Sequence, residues 1–227
     1  MKDLSTIILC TNTVKGTKSL GSIPLLKINE KKTILTYMYN NIKSCWPNGD
    51  IICITKQQDQ RLNKHIENKY SDIKCEPYVV DEWFNESQAL VQTFHKYGAL
   101  NCLVLDINCV LDKNIFKKIK TYDTSKSFLI HNTHSDFKSK LGCILDNTTN
   151  KTQNIFFGLP NLLVKYYYIS KLHAQAILDT NPAKSKFLFE VLNDVSKDID
   201  VHSVKTKKCV HINSIKDYKK LKEINFV

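Results

Sequence analysis

Short apolar runs alternate with segments of helical periodicity over residues 1–112, and that order narrows the folds open to the chain more than any other feature. Leu4 to Cys10 (LSTIILC), Asp50 to Thr55 (DIICIT), Ile73 to Val80 and the run Leu103-Val104-Leu105 read as strands. Between the first two, Asn29 or Thr33 starts a helix with Ile34, Leu35, Met38, Ile42 and Cys45 on one face, ended by Pro47-Asn48-Gly49. Leu62, Ile66 and Tyr70 mark a second, polar helix, and Asn85-Glu86-Ser87 opens a third that runs through Leu90, Val91, Phe94 and Tyr97 to a stop at Gly98. Strands and helices in this succession predict βαβ units, a parallel sheet and right-handed crossovers.

The fourth run ends in chemistry. In Asn101 to Asn114 (NCLVLDINCVLDKN) the apolar residues deliver Asp106 and Asn108 to the far end of a central strand. Ligands of open α/β sheets sit outside such carboxyl ends, so both residues are expected to face a site. The plainer alternative is that Asp106 caps the following turn and Asn108 bends it, as Asp and Asn commonly do.

The pattern is mixed over 113–227. Phe128 to His131, Leu141 to Asp146 and Gln153 to Phe157 read as strands, the last two joined as a hairpin through Asn147-Thr148-Thr149-Asn150. Tyr166-Tyr167-Tyr168-Ile169 reads as a strand with its tyrosines half in the core and half exposed. Ser170 caps a helix broken at Asn181-Pro182, and Ser185 to Val195 is a short helix. Ile199 to Val204 and Cys209 to Ile212 are strands, and Ser214 to Ile224 (SIKDYKKLKEI) is a last helix. One domain with a Rossmann-like half over 1–112 and a mixed half over 113–227 is expected.

The chain carries 33 basic against 22 acidic residues, a formal charge of +11, which suits a phosphate-rich ligand. Nucleic acid is an unlikely partner, because the lysines are spread over every helical segment and Arg61 is the only arginine. Eight cysteines stand mostly singly in apolar runs with no metal-binding spacing, as reduced thiols of a cytoplasmic protein do. No segment reads as a signal peptide or a membrane span, so no membrane partner is expected. Nothing in their spacing orients Cys10, Cys109 and His131 as a nucleophilic set.

Three stretches, STIILC at the start, LVLDINCVLDKN in the centre and HINSIKDYKKLKEI at the end, resemble nucleotidyltransferases of the sugar-phosphate type, above all bacterial CTP:phosphocholine cytidylyltransferases. LGCILD, NKTQNIFFGLP and YYYIS resemble the strands between them. The resemblance implies a Rossmann-like nucleotide-diphospho-sugar transferase (GT-A-like) fold, a mixed central sheet flanked by helices. It also implies transfer of a nucleotidyl group from a nucleoside triphosphate, CTP favoured, to a small phosphorylated substrate with release of pyrophosphate. In that family two carboxylates hold Mg²⁺ against the nucleotide, because two anions meet in the reaction and cations must neutralise them.

On the family's pattern Asp106 matches the first acid of the central motif, Asn108 stands where the metal-binding acid belongs, and Asn213 takes the second metal position. The resemblance thus makes Asp106, Asn108 and Asn213 the metal site, and Leu9, Cys10, Thr11, Asn12, Lys15, Gly16 and Asp106 the nucleotide site. Lys18 and Lys27 are the catalytic lysines, and Glu86 and Ser87 the substrate contacts. The family's glycine-rich loop is TNTVKGTKSLGSIPLLKI here, and Ser22-Ile23 stands where its Pro-Lys pair would be. Two other readings stay open: a nucleotidyltransferase-like protein that has lost catalysis and binds a partner, and a GT-A glycosyltransferase in which Asp106-Ile107-Asn108 serves as the Asp-x-Asp. A homo-oligomer stays open as well.

Overall fold

A computed structural model describes residues 4–11, 21–79, 85–132, 140–180, 186–206 and 208–223. In chain order the elements begin β1 (Ser5–Leu9), α1 (Ile34–Cys45), β2 (Ile51–Lys56), α2 (Gln60–Lys69), β3 (Ile73–Tyr78), α3 (Glu86–Tyr97) and β4 (Cys102–Asp106). They continue with β5 (Cys109–Leu111), α4 (Lys113–Lys120), β6 (Ser127–Asn132), β7 (Leu141–Leu145), β8 (Thr152–Phe157) and β9 (Leu162–Ile169). The last are α5 (Lys171–Thr180), α6 (Leu188–Val195), β10 (Val201–Lys205), β11 (Cys209–His211) and α7 (Ile215–Glu223). The chain is thus a mixed α/β protein with a sheet flanked by helices, and its residues fall into two compact units.

The first unit takes Met1–Val80, Leu105–Tyr122 and Lys208–Val227. Here β1, β2 and β3 run parallel, with Ile8 opposite Cys53 and Cys53 opposite Cys75. The expected helices are present and their caps explain where they start. The Thr33 side chain accepts from the Thr36 N–H at the head of α1, and that of Asp59 accepts from the Leu62 N–H at the head of α2. Ile34, Leu35, Met38 and Ile42 are buried from α1, and Leu62 and Ile66 from α2. Each such side chain contributes roughly 1.5–3 kcal/mol when fully buried.

Two elements of this unit are absent from the sequence reading. The three-residue β5 pairs antiparallel with β11, Cys109 opposite His211 and Val110 opposite Val210. The eight-residue α4 is capped by Asp112, which accepts from the Asn114 N–H, and buries Ile115, Phe116 and Ile119. The buried Tyr37 hydroxyl of α1 donates to the Leu111 carbonyl at 2.8 Å and secures the end of β5. Burial and the charge of Asp112 push that phenol up to about 12.

The second unit takes Asp81–Val104 and Asp123–Lys207, so β4 starts in it and ends in the first. Its strand order is β10-β6-β9-β4; β10 runs parallel to β6, and β6 antiparallel to β9. The hairpin of β7 and β8 forms as expected and joins β9 through β7. Asn85 caps α3 by accepting from the Ser87 and Gln88 N–H groups, and Gly98 at φ 81 ends it, a conformation that suits a residue without Cβ.

One expectation is corrected. Tyr166, Tyr167 and Tyr168 do not alternate between core and solvent but are all buried, with 0%, 2% and 1% of their surface exposed. The reason is that β9 lies between β6 and β4, and an internal strand covered on both faces buries consecutive residues. Tyr168 keeps its hydroxyl satisfied by donating to the Thr124 carbonyl at 2.9 Å, while its ring stacks on Phe128 at 4.9 Å.

Candidate nucleotide and metal site

Asp106 ends β4, and the chain turns at once. The Ile107 N–H donates to the Leu9 carbonyl at 3.1 Å, which fixes the strand tip beside the end of β1. Asp106 Oδ1 accepts the Asn108 N–H at 2.9 Å, so the carboxylate forms the turn that carries the next candidate ligand. The plain capping role is therefore real. Asp106 is only 1% exposed, and Asn108 7%. Asn108 Oδ1 is buried and has no hydrogen-bond partner among the described residues.

The second arm of the site arrives through β11. The Ile212 N–H donates to the Asn108 carbonyl at 2.8 Å, and Asn213 follows immediately, exposed, at the head of α7. There the Ser214 hydroxyl donates to Asp217 Oδ2 at 2.8 Å and accepts the Asp217 N–H at 3.2 Å, while the Asn213 N–H donates to the same Asp217 oxygen at 3.1 Å. The tail motif is thus a reciprocal cap that holds the backbone of Asn213 in place. Ser214→Ala is expected to lower stability by about 1 kcal/mol, read by urea denaturation, because it removes the hydroxyl from the helix start.

Lys27 belongs to the same assembly by a contact that sequence reasoning missed. The Tyr218 hydroxyl of α7 donates to the Lys27 carbonyl at 2.9 Å, so the segment carrying the exposed Lys27 side chain is tied to the helix that follows Asn213. An aromatic residue inside a lysine-rich helix was the available signal. Ser22, at the expected Pro-Lys position, donates to Asp59 Oδ2 at 2.7 Å.

Leu9, Cys10 and Thr11 are buried at the end of β1. Cys10 lies 3.4 Å from the Cys53 sulfur, and burial, the Cys53 thiol and the Asp106 charge all raise its pKa well above the ordinary thiol value. It is a neutral wall rather than a nucleophile at pH 7. Cys109, also fully buried, has its sulfur 3.6 Å from His211 Nε2. Asn12, Lys15, Gly16 and Lys18 lie outside the described residues.

The two substrate candidates belong to the second unit. The Ser87 hydroxyl is buried, its one proton shared between Asn85 Oδ1 at 2.7 Å and the Lys186 carbonyl, as part of the helix cap. Glu86 instead forms an ion pair with Lys165 at 2.8 Å.

No group of three or more His, Cys, Asp and Glu side chains able to hold a metal ion occurs among the described residues. The oxygen donors at the tip of β4 nonetheless suit a hard cation. Mg²⁺ commonly takes one or two protein carboxylates and fills its remaining positions with phosphate and water. A buried carbonyl left unpaired is unfavourable by about 1–3 kcal/mol, which a cation or a water relieves.

No protein-family model matches the sequence, and no curated protein matches it. Solved structures do. The CTP:phosphocholine cytidylyltransferase from Streptococcus pneumoniae is similar with a TM-score of 0.78 and 16% identity, over 98% of this chain and 99% of that one. The inositol-1-phosphate CTP transferase from T. maritima is similar at 0.74 and 13% identity, over 98% and 95%. The nucleoside-diphosphate-sugar pyrophosphorylase from Vibrio cholerae is similar at 0.75 and 10% identity, over 96% and 100%. With both chains of each pair covered almost end to end, this chain has the fold of the nucleotidyltransferases.

Proposed function

We propose that the protein transfers a nucleotidyl group, CTP favoured as donor, to a small phosphorylated acceptor. An acceptor phosphate oxygen attacks the α-phosphorus, a P–O bond to that oxygen forms, and the bond to the leaving pyrophosphate breaks. The observation that carries this reading is the buried Asn108 side-chain oxygen, unpartnered among the described residues, next to Asp106 at the carboxyl end of the central strand of a nucleotidyltransferase fold.

Asp106, Asn108 and Asn213 are the residues that would hold Mg²⁺. When bound, the ion supplies positive charge against the triphosphate. Leu9, Cys10 and Thr11 close the end of β1 under the nucleotide, and Cys10, being uncharged there, adds no repulsion toward phosphate. Lys15, Lys18 and Lys27 offer ammonium groups to the phosphates as point charges. Tyr218 positions Lys27 through its backbone.

A second reading is favoured by one observation, the two asparagines where the family's pattern has acids. These remove two negative charges from the metal site, and a protein that binds nucleotide without turnover would show the same fold.

The deciding experiment is a calorimetric titration of each nucleoside triphosphate with and without Mg²⁺, followed by a pyrophosphate-release assay over a panel of phosphate monoesters. Tighter binding of CTP with Mg²⁺ and pyrophosphate release with one acceptor are the expected results. Absence of any triphosphate binding overturns the reading, and binding without release under all acceptors favours the second.

No helix among the described residues is long and apolar enough to cross a membrane.

A further inference from the structure

Four phenylalanines of the second unit pack against one another at its surface. Phe156 and Phe157 end β8, Phe187 stands at the head of α6, and Phe189 lies within that helix. Phe189 is buried and gathers the other three: its ring centroid is 6.3 Å from that of Phe156, 5.6 Å from that of Phe157 and 6.0 Å from that of Phe187. Those outer residues are 56%, 52% and 57% exposed. Ile144, 38% exposed, stands on the same face of the hairpin as Phe156, because Gly142 opposes Phe156 and Ile144 is two residues on.

Side-chain hydrogen bonds hold this cluster in place. The Asn193 side chain of α6 accepts the Ile155 N–H at 3.0 Å and donates to the Ile155 carbonyl at 2.8 Å, so it makes both bonds that a neighbouring strand would make. These bonds fix β8 against α6. They also close the middle of an edge strand, since β8 pairs with β7 alone among the described strands. Glu190 accepts the Phe187 N–H at 2.7 Å and fixes the backbone that carries that ring. Single exposed apolar residues are ordinary on a protein surface, but three exposed rings in one fixed cluster have the composition of an interface core.

We propose that this phenylalanine face joins two copies of the chain in a symmetric dimer, each cluster covering the other. The inference is independent of the nucleotidyl-transfer reading. Charge and area both favour a second copy. The unit that bears the rings holds 12 basic against 11 acidic residues, whereas the other unit holds 21 against 11, so the rings belong to the unit that repels its own copy least. The charges that follow Phe187 along the chain are of both signs, Asp194 pairing with Lys186 and with Lys197. The same near-neutral balance makes an anionic membrane the poorer occupant. Three rings with just over half of each uncovered offer about 300 Å² of apolar surface. A standard interface covers about 800 Å² on each partner around an apolar core, so the rings and Ile144 suit that core and the exposed Gln153 and Asn154 its rim. A two-fold axis sets the rings of one copy on those of the other, so each contact occurs twice.

The test is the molar mass of the natural protein in solution, read by sedimentation equilibrium from about 1 to 100 μM, where an interface of modest area dissociates. A reversible equilibrium of monomer and dimer is expected. Added NaCl should leave it unchanged or tighten it, because salt screens the repulsion between two cationic chains and does not weaken apolar contacts. Phe157→Glu and Phe187→Glu should each raise the dimer Kd about tenfold or more, because a ring is lost and like charges meet across the axis. Phe157→Leu should stay within a few-fold. All these side chains are half-exposed, so the variants should keep the circular dichroism of the natural protein. Phe156→Ser, expected to weaken the dimer as well, keeps the assignment testable if a glutamate variant fails to fold.

A natural protein that stays monomeric over this range overturns the proposal. So does a dimer whose Kd is unchanged in any folded variant among Phe157→Glu, Phe187→Glu and Phe156→Ser. A dimer that dissociates as salt rises overturns the aromatic basis, since ion pairs would then hold it. Growth past the dimer into open-ended assemblies overturns the symmetric arrangement. Vesicles of phosphatidylcholine with phosphatidylserine are floated in parallel, and a natural protein that floats with them without dimerising gives the face to a membrane instead.

Discussion

Asp106→Asn is expected to lower the Mg²⁺-dependent affinity for a nucleoside triphosphate by about a hundredfold while leaving the chain folded, since losing a buried charge from an ion-binding site is worth about 2–5 kcal/mol. The asparagine keeps a side-chain oxygen for the Asn108 N–H, which Asp106 now accepts at 2.9 Å. Asp106→Ala is a different experiment. It leaves that N–H unsatisfied in a place where Asp106 is only 1% exposed, and is expected to lower stability by roughly 1–3 kcal/mol as well. Calorimetry with and without Mg²⁺, beside urea denaturation, separates the two effects. Undiminished Mg²⁺-dependent affinity in Asp106→Asn would remove Asp106 from the metal site.

The largest gain is expected from restoring acids at both asparagines. The two positions differ in what the change does to the fold. Asn213 is exposed ahead of α7, where a helix start favours negative charge and nearby Asp217 opposes it, so Asn213→Asp should move stability by less than about 0.5 kcal/mol. Asn108 is buried beside Asp106, so Asn108→Asp places a second carboxylate next to the first and should lower stability by roughly 1–3 kcal/mol without metal.

The sign with pH follows from that crowding. The new carboxyl has a folded-state pKa above its unfolded one. Its destabilisation is therefore absent at acid pH, grows as pH rises through the unfolded value, and levels off above the folded value. Mg²⁺ should recover the loss, because it binds the folded site. Each single variant should tighten Mg²⁺, and the double variant should exceed the sum of the singles, since two carboxylates share one ion. If the natural protein turns over with Mg²⁺ and the double variant is slower, the asparagines belong to a working site rather than a lost one.

Much of the fold was legible in the residues because its signals are local. Thr33, Asp59, Asn85 and Gly98 mark helix ends through contacts within a few residues, and the apolar runs of β1, β2 and β4 are continuous because these internal strands are buried on both faces. β5 was not legible, because its three residues acquire a strand's hydrogen bonds only from β11, about a hundred residues later. The burial of all three tyrosines from Tyr166 to Tyr168 likewise depends on β6 and β4 standing on either side of β9.

The candidate site divides in the same way. The residue types in LVLDIN and HINSIKD pointed by themselves to oxygen ligands at a strand tip and a helix start, because turn and cap chemistry is written in neighbouring side chains. Only the tertiary structure put Ile212 on the Asn108 carbonyl, Tyr218 on the Lys27 carbonyl and Lys165 on Glu86. Those contacts join residues far apart in the chain, and their geometry follows from strand pairing and register, which no local pattern specifies.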